Sequence, residues 1–143
     1  QIWRVIPRLI YCVLTGQKFP LQGGGQVKKS YFHARDLASA IHLVAQKAPL
    51  GELYNVGPEK PVSIRDLVQM VTQEMGVSFD SVCEITPGRA GEDAQYWLDS
   101  SKIKQLGWKQ EISLEEGMHD MVTWGRKYLD HLHNESQEFV LHA

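Results

Sequence analysis

The sequence has 143 residues, of which 43% are hydrophobic and 22% charged, and its formal net charge is -2. These values are typical of a single globular domain and give no electrostatic basis for binding nucleic acid or a membrane surface. The longest apolar run, Leu9 to Leu14, is far shorter than the roughly 20 residues that a membrane span needs. Cys12 and Cys83 stand apart without neighbouring ligands. We therefore predict no disulfide, no metal site and a cytoplasmic location.

The first part of the chain predicts a helix followed by extended segments. Pro7 suits the first turn of a helix, where its missing N–H costs nothing, and Gly16 suits the position just past the end. Apolar residues between them predict a helix from Arg4 to about Leu14. The elements predicted next are an extended segment at 18–22, a turn at the glycines 23–25 and a strand at 30–33.

The middle of the chain predicts two amphipathic helices with a strand between them. Apolar residues recur at helical spacing from Asp36 onward. Ser63 and Asp66 form a capping-box pattern that opens another helix, which Gly76 ends. Between the two helices, the mostly apolar run Leu53–Gly57 predicts a fully buried strand, which needs neighbouring strands on both sides.

The last part of the chain predicts a strand and two further helices. The strand lies at about Val82–Ile85. Asp99 suits the cap of a short helix that Gly107 ends, and Ser113 with Glu116 forms a second capping box.

The alternation of strands and helices indicates an α/β fold with short strands and about five helices. No repeat or linker divides the chain, so we predict one lobe over residues 1–132 and a loose, polar tail over residues 133–143. Because the buried strand has few possible neighbours in so short a chain, we expect a larger structure to complete its sheet.

Basic residues beside glycines are the strongest sign of a binding site. Lys28 and Lys29 follow the glycine triplet, and Arg89 lies between Gly88 and Gly91. Glycines let a ligand approach the backbone, and lysine or arginine donates charge-assisted hydrogen bonds to phosphate oxygens. The pattern suits a diphosphate, although solvated loop cations beside turn glycines would look the same.

Other candidates have equally plain structural interpretations. Asn55 interrupts an apolar run, and a buried amide finds its partners either in the fold or in a ligand. The segment Phe19-Pro20-Leu21 could form a shelf for a planar base or simply join the core. His33 has no nucleophile near it in the sequence, which favours a packed or capping role, and the pair His131 and His133 lacks a third metal ligand.

Two motifs of dinucleotide enzymes are absent from the sequence. No Gly-x-Gly-x-x-Gly pattern follows a predicted strand and opens a helix. No tyrosine is followed four residues later by a lysine, the pair that would transfer protons during hydride chemistry. We therefore predict no catalytic, cofactor-binding or metal-binding residues in this chain, and the residues alone leave open whether it is an enzyme.

Read in order, six stretches resemble the later half of extended short-chain dehydrogenases/reductases, the NAD-dependent epimerase/dehydratase family. The closest likeness is to dTDP-glucose 4,6-dehydratases and related nucleotide-sugar enzymes, and it extends from Trp3 to about Tyr128. The stretches are RVIP (4–7), GQKFPL (16–21), KSYFHARDLA (29–38), YNVG (54–57), RAGED (89–93) and LGW (106–108).

The resemblance implies a substrate-binding lobe of a partial Rossmann-like fold that binds a nucleoside-diphosphate sugar. It implies that the base lies near the shelf and that Lys29 and Arg89 flank the diphosphate. The family more often has arginine at the position of Lys29 and often has histidine at the position of Glu92. This chain therefore lacks the planar, bidentate donor of an arginine at position 29 and has a carboxylate at position 92. The residues implied to bind substrate are Arg4, Ile6, Pro7, Phe19, Pro20, Leu21, Lys29, Asn55, Arg89 and Glu92.

The resemblance also implies partners outside this chain. These are an N-terminal dinucleotide-binding domain that carries NAD or NADP and the catalytic tyrosine and lysine. On this interpretation the chain recognises the substrate of a sugar epimerase or dehydratase and is inactive alone. Two alternatives stay open, a self-associating binding or assembly module that forms a homo-oligomer, and a truncation without a separate role.

Overall fold

The computed structural model describes residues 2–135 as an α/β arrangement of helices around two short sheets. Within this range the strands are β1 Phe19–Gln22, β2 Lys28–Lys29, β3 Val62–Ser63 and β4 Cys83–Thr86. The helices are α1 Val5–Thr15, α2 Ala34–Lys47, α3 Ile64–Glu74, α4 Phe79–Val82, α5 Ser101–Gln105, α6 Leu114–Lys127 and α7 Leu129–His133.

The helix ends follow the capping signals in the sequence. Gly16 ends α1 in the left-handed conformation, with φ of 68°. Residues that have a Cβ rarely adopt this conformation. Ser113 and Glu116 form the reciprocal capping box of α6. The N–H of Trp108 donates to the carbonyl of Ile103 across 3.3 Å, which closes α5 beside Gly107. Beyond the about five helices predicted, α4 adds one turn, and the last predicted helix divides into α6 and α7 at Tyr128.

Two small sheets bring distant parts of the chain together. Strand β1 runs parallel to β4, with Leu21 opposite Ile85. Strand β2 runs antiparallel to β3, and its other side contacts the segment at residues 94–96. There the N–H of Lys28 donates to the carbonyl of Ala94, and its carbonyl accepts from the N–H of Tyr96.

Two predicted strands are wrong. Residues 30–33 form no strand, because pairing of β2 ends at Lys29 and the backbone then enters α2. Residues 53–57 also pair with no strand among residues 2–135, and Leu53, predicted to be buried, is 72% exposed. The apolar composition of this run indicates burial only where a neighbouring strand exists, and the described part of the chain supplies none.

The main core lies where α1, α3 and α6 pack on β1. Leu9 and Ile10 of α1, Leu67 and Val71 of α3, and Leu21 of β1 are buried in it almost completely. Burial of side chains this size stabilises the fold by about 1.5–3 kcal/mol each. The core therefore holds the start of α1 and the end of β1 in a fixed relation.

The predicted loose tail falls mostly on residues 136–143, which lie outside the described residues. Within the described range, His133 is the last residue of α7, and its Nδ1 lies 3.2 Å from the hydroxyl of Tyr11. No helix in residues 2–135 is both long enough and apolar enough to cross a membrane.

Candidate functional site

A cavity of about 140 Å³ opens between the start of α1, the end of β1 and the loop after β4. Typical small-molecule pockets measure roughly 300–1,000 Å³, so this one has room for a single moiety of a larger ligand. The residues that line it are Trp3, Val5, Arg8, Phe19, Pro20, Leu21, Gln22, Gly25, Val27, Lys29, Ile64, Arg89 and Glu92.

Parallel pairing of β1 with β4 carries Arg89 to the cavity. Gln22 lies opposite Thr86 at the ends of these strands, so the loop that continues from β4 starts beside the end of β1. Three residues later, the Nε of Arg89 donates to the Oε1 of Gln22 across 2.9 Å. This bond positions one cationic side chain at the rim, where Arg89 remains exposed to solvent.

Strand β2 supplies the second predicted cation. Lys29 is the last residue of β2, and its Nζ lies 3.6 Å from the Oε1 of Glu92. The side chains are 38% and 23% exposed, respectively, so solvent screens this ion pair and it stabilises the fold by less than about 1 kcal/mol. The pair is weak enough for an anionic ligand to compete for the lysine.

The glycine turn between β1 and β2 is packed too closely for any side chain at Gly25. This residue has φ of 72°, and a Cβ on it would lie 2.8 Å from the backbone nitrogen of Arg65 at the start of α3. Only glycine tolerates both the left-handed backbone conformation and such a short distance to the backbone of Arg65. The turn therefore fixes β2, and with it Lys29, against α3.

The charges that line the cavity favour an anion. Arg8, Lys29 and Arg89 are cationic, and Glu92 is the one carboxylate among the lining residues. A larger hollow of about 590 Å³ elsewhere on the described surface has a balanced lining, with two lysines, 104 and 109, and two glutamates, 59 and 111. The smaller cavity is therefore the better candidate for a phosphorylated ligand.

The structure brings six of the ten predicted substrate-binding residues to this cavity, namely Phe19, Pro20, Leu21, Lys29, Arg89 and Glu92. Arg4, Ile6 and Pro7 do not line it. Arg4 is exposed at the N-cap of α1, and Ile6 packs against the main core. Asn55 does not line it either and is exposed rather than buried, because the strand that would have buried it does not form. The binding role of all ten residues stays a prediction.

Sequence reasoning missed the contribution of Arg8 and included Val5 only within the stretch RVIP (4–7). Both line the cavity from α1, and they are three residues apart, so they share one face of the helix. That spacing was available in the sequence, but the side of α1 that faces the cavity is set by packing against α3 and α6. Ile64, at the start of α3, lines the cavity and is also buried in the main core.

The candidate histidines His33 and His131 contact other residues of the chain itself. The ring of His33 caps α2 by accepting a hydrogen bond from the N–H of Arg35 across 3.1 Å, as the capping interpretation predicted. His131 lies 3.7 Å from Glu135 one turn later on an exposed surface. Among residues 2–135, no three histidine, cysteine or acidic side chains cluster closely enough to hold a metal ion.

Solved structures with a similar fold are nucleotide-sugar dehydratases and epimerases. DesIV, a dTDP-glucose 4,6-dehydratase from Streptomyces venezuelae solved with NAD bound, is 28% identical with a TM-score of 0.83, over 89% of this chain and 39% of that chain. UDP-glucose 4-epimerase from Thermotoga maritima, solved with UDP-glucose, is 28% identical with a TM-score of 0.80, over 88% of this chain and 40% of that chain. The fold is therefore the Rossmann-like fold of the short-chain dehydrogenase/reductase class, to which these dehydratases and epimerases belong.

The family model described as GDP-mannose 4,6 dehydratase matches residues 1–121, so the chain belongs to this family of NAD-dependent epimerases and dehydratases. Among curated relatives, dTDP-glucose 4,6-dehydratase from Streptomyces griseus is 30% identical over 126 residues, which cover 87% of this chain and 38% of that enzyme. The chain thus spans well under half the length of this relative.

Proposed function

We propose that this chain binds the diphosphate of a nucleoside-diphosphate sugar for an NAD-dependent epimerase or dehydratase. The observation that carries the proposal is the convergence of Lys29 and Arg89 on one cavity beside the apolar residues Phe19 and Leu21. Two cations separated by 60 residues in the chain, next to an apolar wall, fit a ligand that has both phosphoryl groups and a planar base.

The small cavity volume supports a divided substrate site. A space of about 140 Å³ holds one moiety, and the rest of a nucleotide sugar would extend beyond it. On this proposal, the sugar and its reacting carbon lie against another part of a longer protein.

The residues of this chain do not fit a dinucleotide, so we propose that NAD is held elsewhere. Within the described residues, the glycine triplet after β1 leads into β2 and not into a helix N-terminus, where a pyrophosphate would be cradled. We expect the purified chain to turn over no nucleotide sugar when NAD is added. Turnover under these conditions would contradict this part of the proposal.

Nucleotide binding is testable by thermal shift with UDP, dTDP and their glucose conjugates. A ligand that binds only the folded chain raises the apparent unfolding temperature by mass action. We expect the double variant Lys29→Ala, Arg89→Ala to abolish the shift. The matched control, Lys28→Ala with Arg35→Ala, removes two exposed cations that do not line the cavity and should keep it. An equal shift in both double variants would show that the phosphates bind elsewhere.

A second candidate function, self-association as an assembly module, is favoured by exposed apolar side chains. Ile41 is 62% and Ile85 65% exposed, in addition to Leu53. Such side chains suit either the remainder of a longer protein or a second copy of the chain. Light scattering separates these possibilities: a monomer that binds nucleoside diphosphates favours the substrate lobe, and an obligate oligomer that binds none favours assembly.

A further inference from the structure

Arg8 is a third cation at the cavity and differs from the other two in its surroundings. It lies in the first turns of α1, on the face that Val5 also presents to the cavity. The buried neighbours Leu9 and Ile10 hold this part of the helix in the main core. The backbone that carries Arg8 is therefore among the most firmly packed parts of the site.

One nitrogen of the Arg8 side chain lacks a hydrogen-bond acceptor in the described part of the chain. Its Nε is buried, and it donates no hydrogen bond to any of residues 2–135. In contrast, Lys29 faces Glu92, and the Nε of Arg89 is bonded to Gln22. Burial of a charged donor without an acceptor costs free energy, and an anion in the cavity beside the guanidinium would offset part of that cost.

The charge of the lining matches a diphosphate when Arg8 is counted. Three cationic side chains and one carboxylate leave a formal excess of two positive charges. A diphosphate that joins a nucleoside to a sugar has one negative charge on each phosphoryl group. Without Arg8, Glu92 would offset one of the two remaining cations, and the ligand would be only half neutralised.

We propose that Arg8 binds the diphosphate together with Lys29 and Arg89, donating from its guanidinium to phosphoryl oxygens in the cavity. This inference rests on the proposed function and deepens it. The planar fork of an arginine can grip phosphoryl oxygens in a bidentate way, which the lysine at position 29 cannot do. On this proposal Arg8, and not Lys29, sets the orientation of the phosphoryl groups through directed hydrogen bonds.

The test combines ligand affinity with the stability of the ligand-free chain. Arg8→Met removes the charge but keeps an unbranched apolar side chain, and Arg8→Lys keeps the charge but loses the fork. Arg126→Met, on the exposed side of α6, is the matched control. Calorimetric titration would use inorganic pyrophosphate and UDP-glucose or dTDP-glucose, and thermal unfolding without ligand would show any structural role.

We expect Arg8→Met to weaken binding of both probes about 10- to 100-fold, because a hydrogen bond to a charged group is lost. Arg8→Lys should lie between Arg8→Met and the original chain. Without ligand, Arg8→Met should unfold at the same or a higher temperature, since it removes a buried donor that lacks an acceptor. Arg126→Met should change neither measurement.

Each contrary result has a separate meaning. Unchanged affinity in Arg8→Met, while Lys29→Ala and Arg89→Ala weaken binding, would overturn the role of Arg8 and leave the proposed function standing. Pyrophosphate binding that depends on Arg8, without binding of any nucleotide sugar, would support Arg8 and overturn the proposed function. A ligand-free Arg8→Met that unfolds more than about 4 °C lower would indicate a structural role and overturn this inference. No binding of any probe would overturn both.

Discussion

Gly125 is the point at which α6 approaches α1 too closely for a side chain. A Cβ built on Gly125 would lie under 3.0 Å from the Cγ2 of Ile10, a separation that Cβ contacts essentially never show. Ile10 is buried completely in the main core, so it cannot turn away into solvent. Gly125→Ala therefore forces either Ile10 or the whole of α1 to move.

The expected cost follows from two opposing effects. Insertion of a methyl group into a packed core costs about 1–3 kcal/mol. Alanine in the interior of a helix is more favourable than glycine by up to about 1 kcal/mol. We therefore expect Gly125→Ala to lower the free energy of unfolding by about 1–2 kcal/mol, measured by urea denaturation with an unchanged m-value.

Gly117 in the same helix is the matched control. Its added Cβ would lie 3.7 Å from His33, an ordinary contact, so Gly117→Ala should be neutral or stabilising. Ile10→Ala removes the side-chain carbon that the added Cβ would meet. In that background Gly125→Ala should be stabilising by up to about 1 kcal/mol. If Gly125→Ala is as stable as Gly117→Ala in the original background, our account of this helix contact is wrong.

Two further predictions concern buried and capping carboxylates. Asp36 is buried and accepts hydrogen bonds from the N–H groups of Glu111 and Ile112, across 3.0 and 3.2 Å, so Asp36→Ala should destabilise the chain by about 3 kcal/mol in urea denaturation. Hydrogen bonds from Ser113 lower the pKa of Glu116 below its ordinary value of 4.5. The stability that Glu116 contributes is therefore present above that value and is lost as pH falls through the lowered pKa. Glu116→Gln should reduce the acid dependence of the unfolding temperature below pH 4.5, and an unaltered acid dependence would contradict this assignment.

Helices were predictable because their signals are local. Gly16 and Gly107 end helices with positive φ, and Ser113 opens one through a capping box, each within a few residues of the pattern that indicates it. Such signals need no knowledge of the rest of the fold. The division between α6 and α7 was missed because the apolar spacing continues across Tyr128.

Strands were less predictable because a strand depends on its partner. The pairing of β1 with β4 joins residues more than 60 positions apart, and no local pattern specifies it. The run at residues 53–57 has a strand-like composition but pairs with no strand in the described part of the chain. Asn55 was consequently expected to be buried and is exposed.

The site was predictable in outline. Family resemblance and the nearby glycines pointed to Lys29 and Arg89, and both line the cavity. Arg8 was missed because a helical arginine is usually a solvated side chain, and nothing in its neighbours shows which face of α1 lies against the cavity.

The cavity walls come from parts of the chain that lie far apart, near residues 3–8, 19–29, 64 and 89–92. No local segment can form the site while the remainder is unfolded, so a bound ligand must stabilise the cooperative unit as a whole. Saturating ligand should therefore slow amide hydrogen exchange in the middle of α3 and α6 as well as beside the cavity. The chain would therefore report occupancy of a small anion-binding site through the stability of its entire core against opening.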